Sequence, residues 1–97
     1  MERFVREGTF RDRGRFLQVL RGTLARLREG ALRGMDETWE RTGEADVARL
    51  SGLGVRAELA VGASSWRAVV EIPAWFPISR EAVEAKFDEM AAAWKDL

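Results

Sequence analysis

The chain has 97 residues, 46% hydrophobic and 33% charged, and its 16 basic and 16 acidic side chains balance. That length makes one domain, 1–97, whose apolar fraction supplies a core without disulfides or metal, while the zero net charge excludes a general polyanion binder. His, Cys and Tyr are absent, which removes most general bases, soft-metal ligands and activated nucleophiles, so the expectation is a non-enzymatic protein with no catalytic residue, metal or cofactor.

The charge is unevenly placed. Residues 1–33 carry nine Arg against Glu2, Glu7, Asp12 and Glu29, a net of +5; residues 34–97 carry seven basic and twelve acidic groups, a net of −5. Either the halves complement each other within one fold, or a basic face addresses an anionic or acidic partner. Fourteen of the 16 basic residues are Arg, a skew that fits a thermophile and equally a GC-rich genome. No run approaches the roughly 18 apolar residues of a membrane span. Glu2 and Arg3 follow Met1 where a secretory signal would have an apolar region, so a cytoplasmic protein is expected.

Arg3–Arg6 reads as a short strand around Phe4 and Val5. Phe16, Leu17, Leu20, Leu24 and Leu27 then fall at helical spacing. Asp12 is the predicted N-cap and Gly30 the stop. Gly14 and Gly22 each cost this helix up to about 1 kcal/mol, so it depends on tertiary packing. Beyond Gly34 the period becomes two. Glu37, Trp39 and Arg41 alternate with Asp36, Thr38 and Glu40; a turn follows at Thr42-Gly43-Glu44, then a strand at Ala45–Leu50 and a break at Ser51–Gly54. Val55, Ala57, Leu59 and Val61 share one face of a further strand, and Trp66, Ala68, Val70 and Ile72 one face of the last.

Pro73 ends the sheet and Ala74-Trp75-Phe76-Pro77 forms an apolar connector. Ser79 caps the final helix, with Ile78 and Val83 as a hydrophobic staple. Val83, Phe87, Met90 and Trp94 make a single stripe on it. The predicted fold is α+β: an antiparallel meander of three to four strands with both helices on one face, in the order β-α-β-β-β-β-α. Val83, Phe87, Met90 and Trp94 should pack on Leu59, Val61, Trp66 and Val70. The other face should carry Arg56, Glu58, Ala60, Arg67, Val69 and Glu71.

The candidate interaction surface is aromatic. Trp75 and Phe76 lie in the connector and Trp39 on a strand polar on both faces, and Trp is enriched where partners bind. Trp66 and Trp94 read as core. The carboxylates Asp36, Glu37, Glu40, Glu44 and Asp46 lack calcium-loop spacing and read as a solvated acidic edge. Ser64-Ser65 has no His or Cys to activate it. Gly52-Leu53-Gly54 precedes a strand, not the helix a phosphate loop opens. The Arg-rich first helix is not interleaved with exposed aromatics, so nucleic-acid binding is not expected.

Three segments in order, SGLGVRAELAV (Ser51–Val61), WRAVVEI (Trp66–Ile72) and AWFPISREAVEAKFDEM (Ala74–Met90), resemble the polyhydroxyalkanoic acid system proteins. The resemblance covers about half the chain. It departs at Arg6-Glu7-Gly8-Thr9, where that family starts with a His-containing segment, and at Pro77. It implies association with polyhydroxyalkanoate granules or their proteins and carries over no catalytic residue.

Two functions are therefore expected. One is an interaction protein acting by contact with a protein partner, a granule surface or a second copy as a homodimer, which should expose Trp75 or Trp39. The alternative is a carrier of a small apolar ligand, with a cavity between sheet and helices lined by Leu59, Val70 and Phe87.

Overall fold

The computed structural model describes residues 1–30 and 33–97. β1 (Glu2–Thr9) leads into α1 (Arg13–Glu29). The meander β2 (Asp36–Thr42), β3 (Ala45–Gly52), β4 (Val55–Val61) and β5 (Ser65–Ile72) follows, and α2 (Arg80–Trp94) ends the chain. This is the predicted α+β order. The sheet, however, has five antiparallel strands, ordered β1-β5-β4-β3-β2. The fifth is β1, which runs the full length of β5 from Glu2 opposite Ile72 to Thr9 opposite Ser65.

Residues directly opposite in antiparallel strands share a face, so the register sorts the side chains. One rung of the inner face reads Arg6, Ala68, Leu59, Ala48, Trp39 and the next Phe4, Val70, Ala57, Leu50, Glu37. Both helices cover this face: Phe16, Leu20 and Leu24 of α1 and Phe87 and Trp94 of α2 are buried in one cluster with Leu59, Val61 and Trp66. Val70, Val83 and Met90 are half-buried against that cluster. The outer face carries the expected residues, with Arg49 bridging Glu40 and Glu58 across three strands.

The helix termini follow from their caps. The Asp12 carboxylate accepts from the Arg15 backbone N–H at 3.1 Å, and the Ser79 hydroxyl accepts from the Ala82 N–H at 3.2 Å. The segment after α2 is tied to the one entering α1: the Leu97 carbonyl accepts from the Arg11 N–H at 2.9 Å and the Asp12 N–H at 3.2 Å.

The two halves complement each other in charge. Arg13 donates to Asp46 at 2.6 Å and to the Gly62 carbonyl at 2.9 Å. Arg28 donates to the Met35 carbonyl at 3.1 Å and lies 3.7 Å from Glu37. Arg6 donates to Asp88 at 2.7 Å, and that bond raises its already high pKa; Arg49 is raised likewise by its bond to Glu40.

Two glycines answer to tight spaces. A Cβ on Gly8 would lie 2.9 Å from the buried Trp66 indole, which crosses the β1 backbone there. Gly54 turns the β3–β4 hairpin at φ +80°, with Leu53 before it at φ +56°. Two successive positive φ values suit Asn-Gly, and a Leu held there is strained by about 1–2 kcal/mol. Leu53→Asn is accordingly expected to raise stability by about 0.5–1 kcal/mol in urea denaturation; a loss would show that the half-exposed Leu53 side chain contributes more by contact than its backbone costs.

Candidate functional site: an apolar cleft between the helices

The helices are anchored over different strands. α2 sits by β1, with Arg6 5.6 Å from the Phe87 ring centroid and Arg80 5.7 Å from that of Phe4. α1 is held over the other side by Arg13 and Arg28 and by Arg21, whose guanidinium is 4.1 Å from the Trp39 ring centroid. The helices meet where α1 begins and α2 ends. There Phe16 and Trp94 pack edge to face at 5.6 Å, Trp66 and Trp94 at 5.1 Å, and Phe10 stacks on Phe16 at 4.8 Å. Away from this apex they part. Five strands place β1 and β2 about 19 Å apart, whereas packed helices lie about 8–10 Å apart. Anchors near opposite sheet edges therefore leave the middle strands only partly covered, at Ala57 and Val70.

The result is a cleft of about 280 Å³, open to solvent. Its floor is Val55, Ala57 and Leu59 of β4, Ala68, Val70 and Ile72 of β5, and Leu50. Leu24 and Leu27 form one wall, Val83, Phe87 and Met90 the other, and Trp94 closes the apex. Leu59, Val70 and Phe87, the three positions expected to line a carrier's cavity, all line it. The space exists because two floor positions, Ala57 and Ala68, end at Cβ. Among the described lining residues the polar groups are the Thr23 hydroxyl, the Lys86 ammonium and the Trp94 indole N–H at the apex, and the Thr23 hydroxyl already donates to the Val19 carbonyl at 3.0 Å. Lys86 stands on the rim, 3.8 Å from Glu89. A second recess of about 320 Å³ adjoins the wide end and shares Ile72, Phe76, Ile78 and Val83; Glu2, Ser79 and Arg80 make it polar.

The three residues singled out as an interaction surface separate. Trp75 is 72% exposed, its ring lying against Gly54 and so beside the exposed Leu53, while the exposed Ile78 lines the cleft. Phe76 is half-buried and borders the cleft. Trp39 lies away from both, half-buried against the core, with its indole N–H donating to Glu37 at 2.8 Å. It is an inner-face residue of an edge strand whose neighbours Glu37 and Arg41 serve ion pairs with Arg28 and Asp46. The carboxylates do not converge: the register puts Glu37 and Asp46 on the inner face and Asp36 and Glu40 on the outer. Among the described residues no polar or charged side chain is buried, and no helix is long and apolar enough to cross a membrane.

Trp75 should report on its surroundings alone, since Trp66 and Trp94 are buried and Trp39 is shielded by Arg21. Most acrylamide-quenchable fluorescence is expected to vanish in Trp75→Phe; a Stern–Volmer slope that does not change would place another indole in water.

No family model matches the chain, and neither curated proteins nor solved structures provide a match.

Proposed function

We propose that this protein binds a small apolar or amphipathic molecule in the cleft between its helices and acts as a carrier, not a catalyst. One observation supports this above the rest: a cleft of about 280 Å³ remains open over the sheet in a fold whose other inner-face positions are packed. Its volume is near the lower end of the roughly 300–1,000 Å³ of small-molecule sites, and its apolar lining matches their character. Such exposed apolar area is unfavourable in water and gains free energy from any ligand that covers it. A neutral fluorescent probe such as N-phenyl-1-naphthylamine should bind saturably with one site per chain. At a hundredfold excess over its dissociation constant it should add about 2.7 kcal/mol to stability. Linear, unsaturable fluorescence with no rise in the thermal midpoint would remove the carrier reading.

A second reading, action by contact with a partner or as a homodimer, is favoured by the exposed Trp75, Leu53 and Ile78 at one end of the molecule. Large exposed apolar side chains gathered at one place mark interaction sites. Sedimentation of the wild type and Trp75→Ala tests it. A dimer in the wild type that dissociates in the variant supports contact through this end, and a wild-type monomer at tens of micromolar removes the homodimer.

A further inference from the structure

We propose that the cleft selects an amphiphile with one chain and one anionic head, a medium-chain carboxylate being the simplest example, and that Lys86 receives the head. The inference rests on the carrier reading and adds the chemical class of the ligand. It follows from what the lining can and cannot satisfy. A polar ligand atom taken out of water needs a partner, or binding loses the desolvation cost of that atom. Among the described residues the polar groups of the lining are the Thr23 hydroxyl, whose hydrogen is engaged with Val19, the Trp94 indole N–H at the buried apex, and the Lys86 ammonium. Of these only the Lys86 ammonium stands where a charged head can stay in contact with water, a donor with three protons and no acceptor.

Among the described residues no carboxylate lines the cleft, so a cationic head has no counter-charge there. Sugars and nucleotides, with many polar atoms, would leave most of them unpaired. One acceptor group, best carried as a full negative charge, fits what is present.

Placement agrees with chemistry. Lys86 lies one turn from Met90 and Ala82 on the wall of the cleft. Its stem can follow apolar surface while its ammonium stays in water. Its neighbour Glu89, at 3.8 Å and mostly exposed, is a weak competitor. The apolar part of the ligand then runs over Val70 and Ala57 towards Trp94. About 280 Å³ corresponds to roughly nine water volumes of about 30 Å³ each, and a methylene is close to a water in size. A chain of about nine carbons behind the head is the expected scale. The adjoining recess is a poorer head site, because Glu2 lines it along with Arg80.

The experiment displaces N-phenyl-1-naphthylamine with decanoate, decanol and decylammonium, using wild type, Lys86→Met and Arg80→Gln. Met keeps the apolar stem and removes the charge. The comparison of heads at constant chain length cancels hydrophobicity. In Lys86→Met, decanoate is expected to bind about fivefold more weakly, the scale of one rim ion pair, while decanol stays within twofold. Decylammonium should be the weakest competitor for the wild type, and Arg80→Gln should leave all three unchanged. Equal losses for decanoate and decanol in Lys86→Met, or decylammonium competing as well as decanoate, would overturn the anionic head while leaving the carrier reading intact. A decanoate loss that follows Arg80→Gln instead would overturn the assignment to Lys86. Failure of all three to displace a bound probe would overturn the inference, and failure of the probe itself to bind would remove the carrier reading and this inference together.

Discussion

Trp94→Ala is expected to cost about 3–5 kcal/mol of folding stability, much of the roughly 5–15 kcal/mol a domain of this kind has. Three contributions combine at this side chain. Trp94 is 2% exposed, so its whole apolar surface returns to water or to a void. Its ring meets Phe16 and Trp66 edge to face, and each such pair adds about 0.5–1.5 kcal/mol beyond burial. It is also where the last helix rejoins the first, next to the bonds from Arg11 and Asp12 to the Leu97 carbonyl. The void cannot collapse readily, because the anchors of α1 and α2 lie on different strands. Urea denaturation followed by far-UV circular dichroism measures the loss. Trp75→Ala is the control: the same truncation at a mostly exposed site should cost under about 1 kcal/mol. Comparable losses at the two positions would mean that the aromatic apex is not what joins the helices.

Much of this architecture is legible residue by residue. Phe16, Leu20 and Leu24 announce α1, with the Asp12 cap and the Gly30 end both found in place. Leu59 and Val61, and Trp66 and Ala68, show the inner face of their strands by simple alternation. β1 is less legible. Only Phe4 and Val5 favour a strand in its expected span, and the pairing partner that extends it to Thr9 is β5, more than fifty residues away. Gly8 looks like a strand breaker until Trp66 is seen to need the space above it. Trp39 sits on a strand that reads as polar on both faces, because an edge strand ends its inner face in ion pairs.

The cleft divides in the same way. Most of its apolar lining falls on the stripes and strand faces that read as core, and Leu59, Val70 and Phe87 are the positions expected around a carrier's cavity. That they stay partly uncovered depends on where the helices are anchored. Those anchors are Arg contacts to Phe4, Glu37 and Trp39 that link residues far apart in sequence. Lys86 is hidden for a related reason: beside the stripe of Val83, Phe87 and Met90 it reads as an ordinary solvated position, and only the rim of the cleft distinguishes it.

The second large effect is expected at the floor of the cleft. Ala57 lies between Val70 and Leu50 in the register, half-buried, with its Cβ facing the open space. Ala57→Phe would put a ring into about 280 Å³ that the native side chains leave empty. Stability and binding should then move in opposite directions. The ring covers apolar wall and floor now facing water, so stability is expected to rise by about 0.5–2 kcal/mol, as for other cavity-filling changes. The same ring occupies the ligand's volume, so affinity for a neutral apolar probe should fall more than tenfold. Thermal unfolding and probe titration on one preparation read both. Overpacking of a closed core would instead lower stability by about 1–3 kcal/mol, and that result would mean the floor at Ala57 is already filled. Binding that survives the substitution would move the ligand elsewhere on the molecule. A site selected for function is often a place where the fold has left stability unclaimed, and opposite shifts in the two measurements are what that relation requires of this cleft.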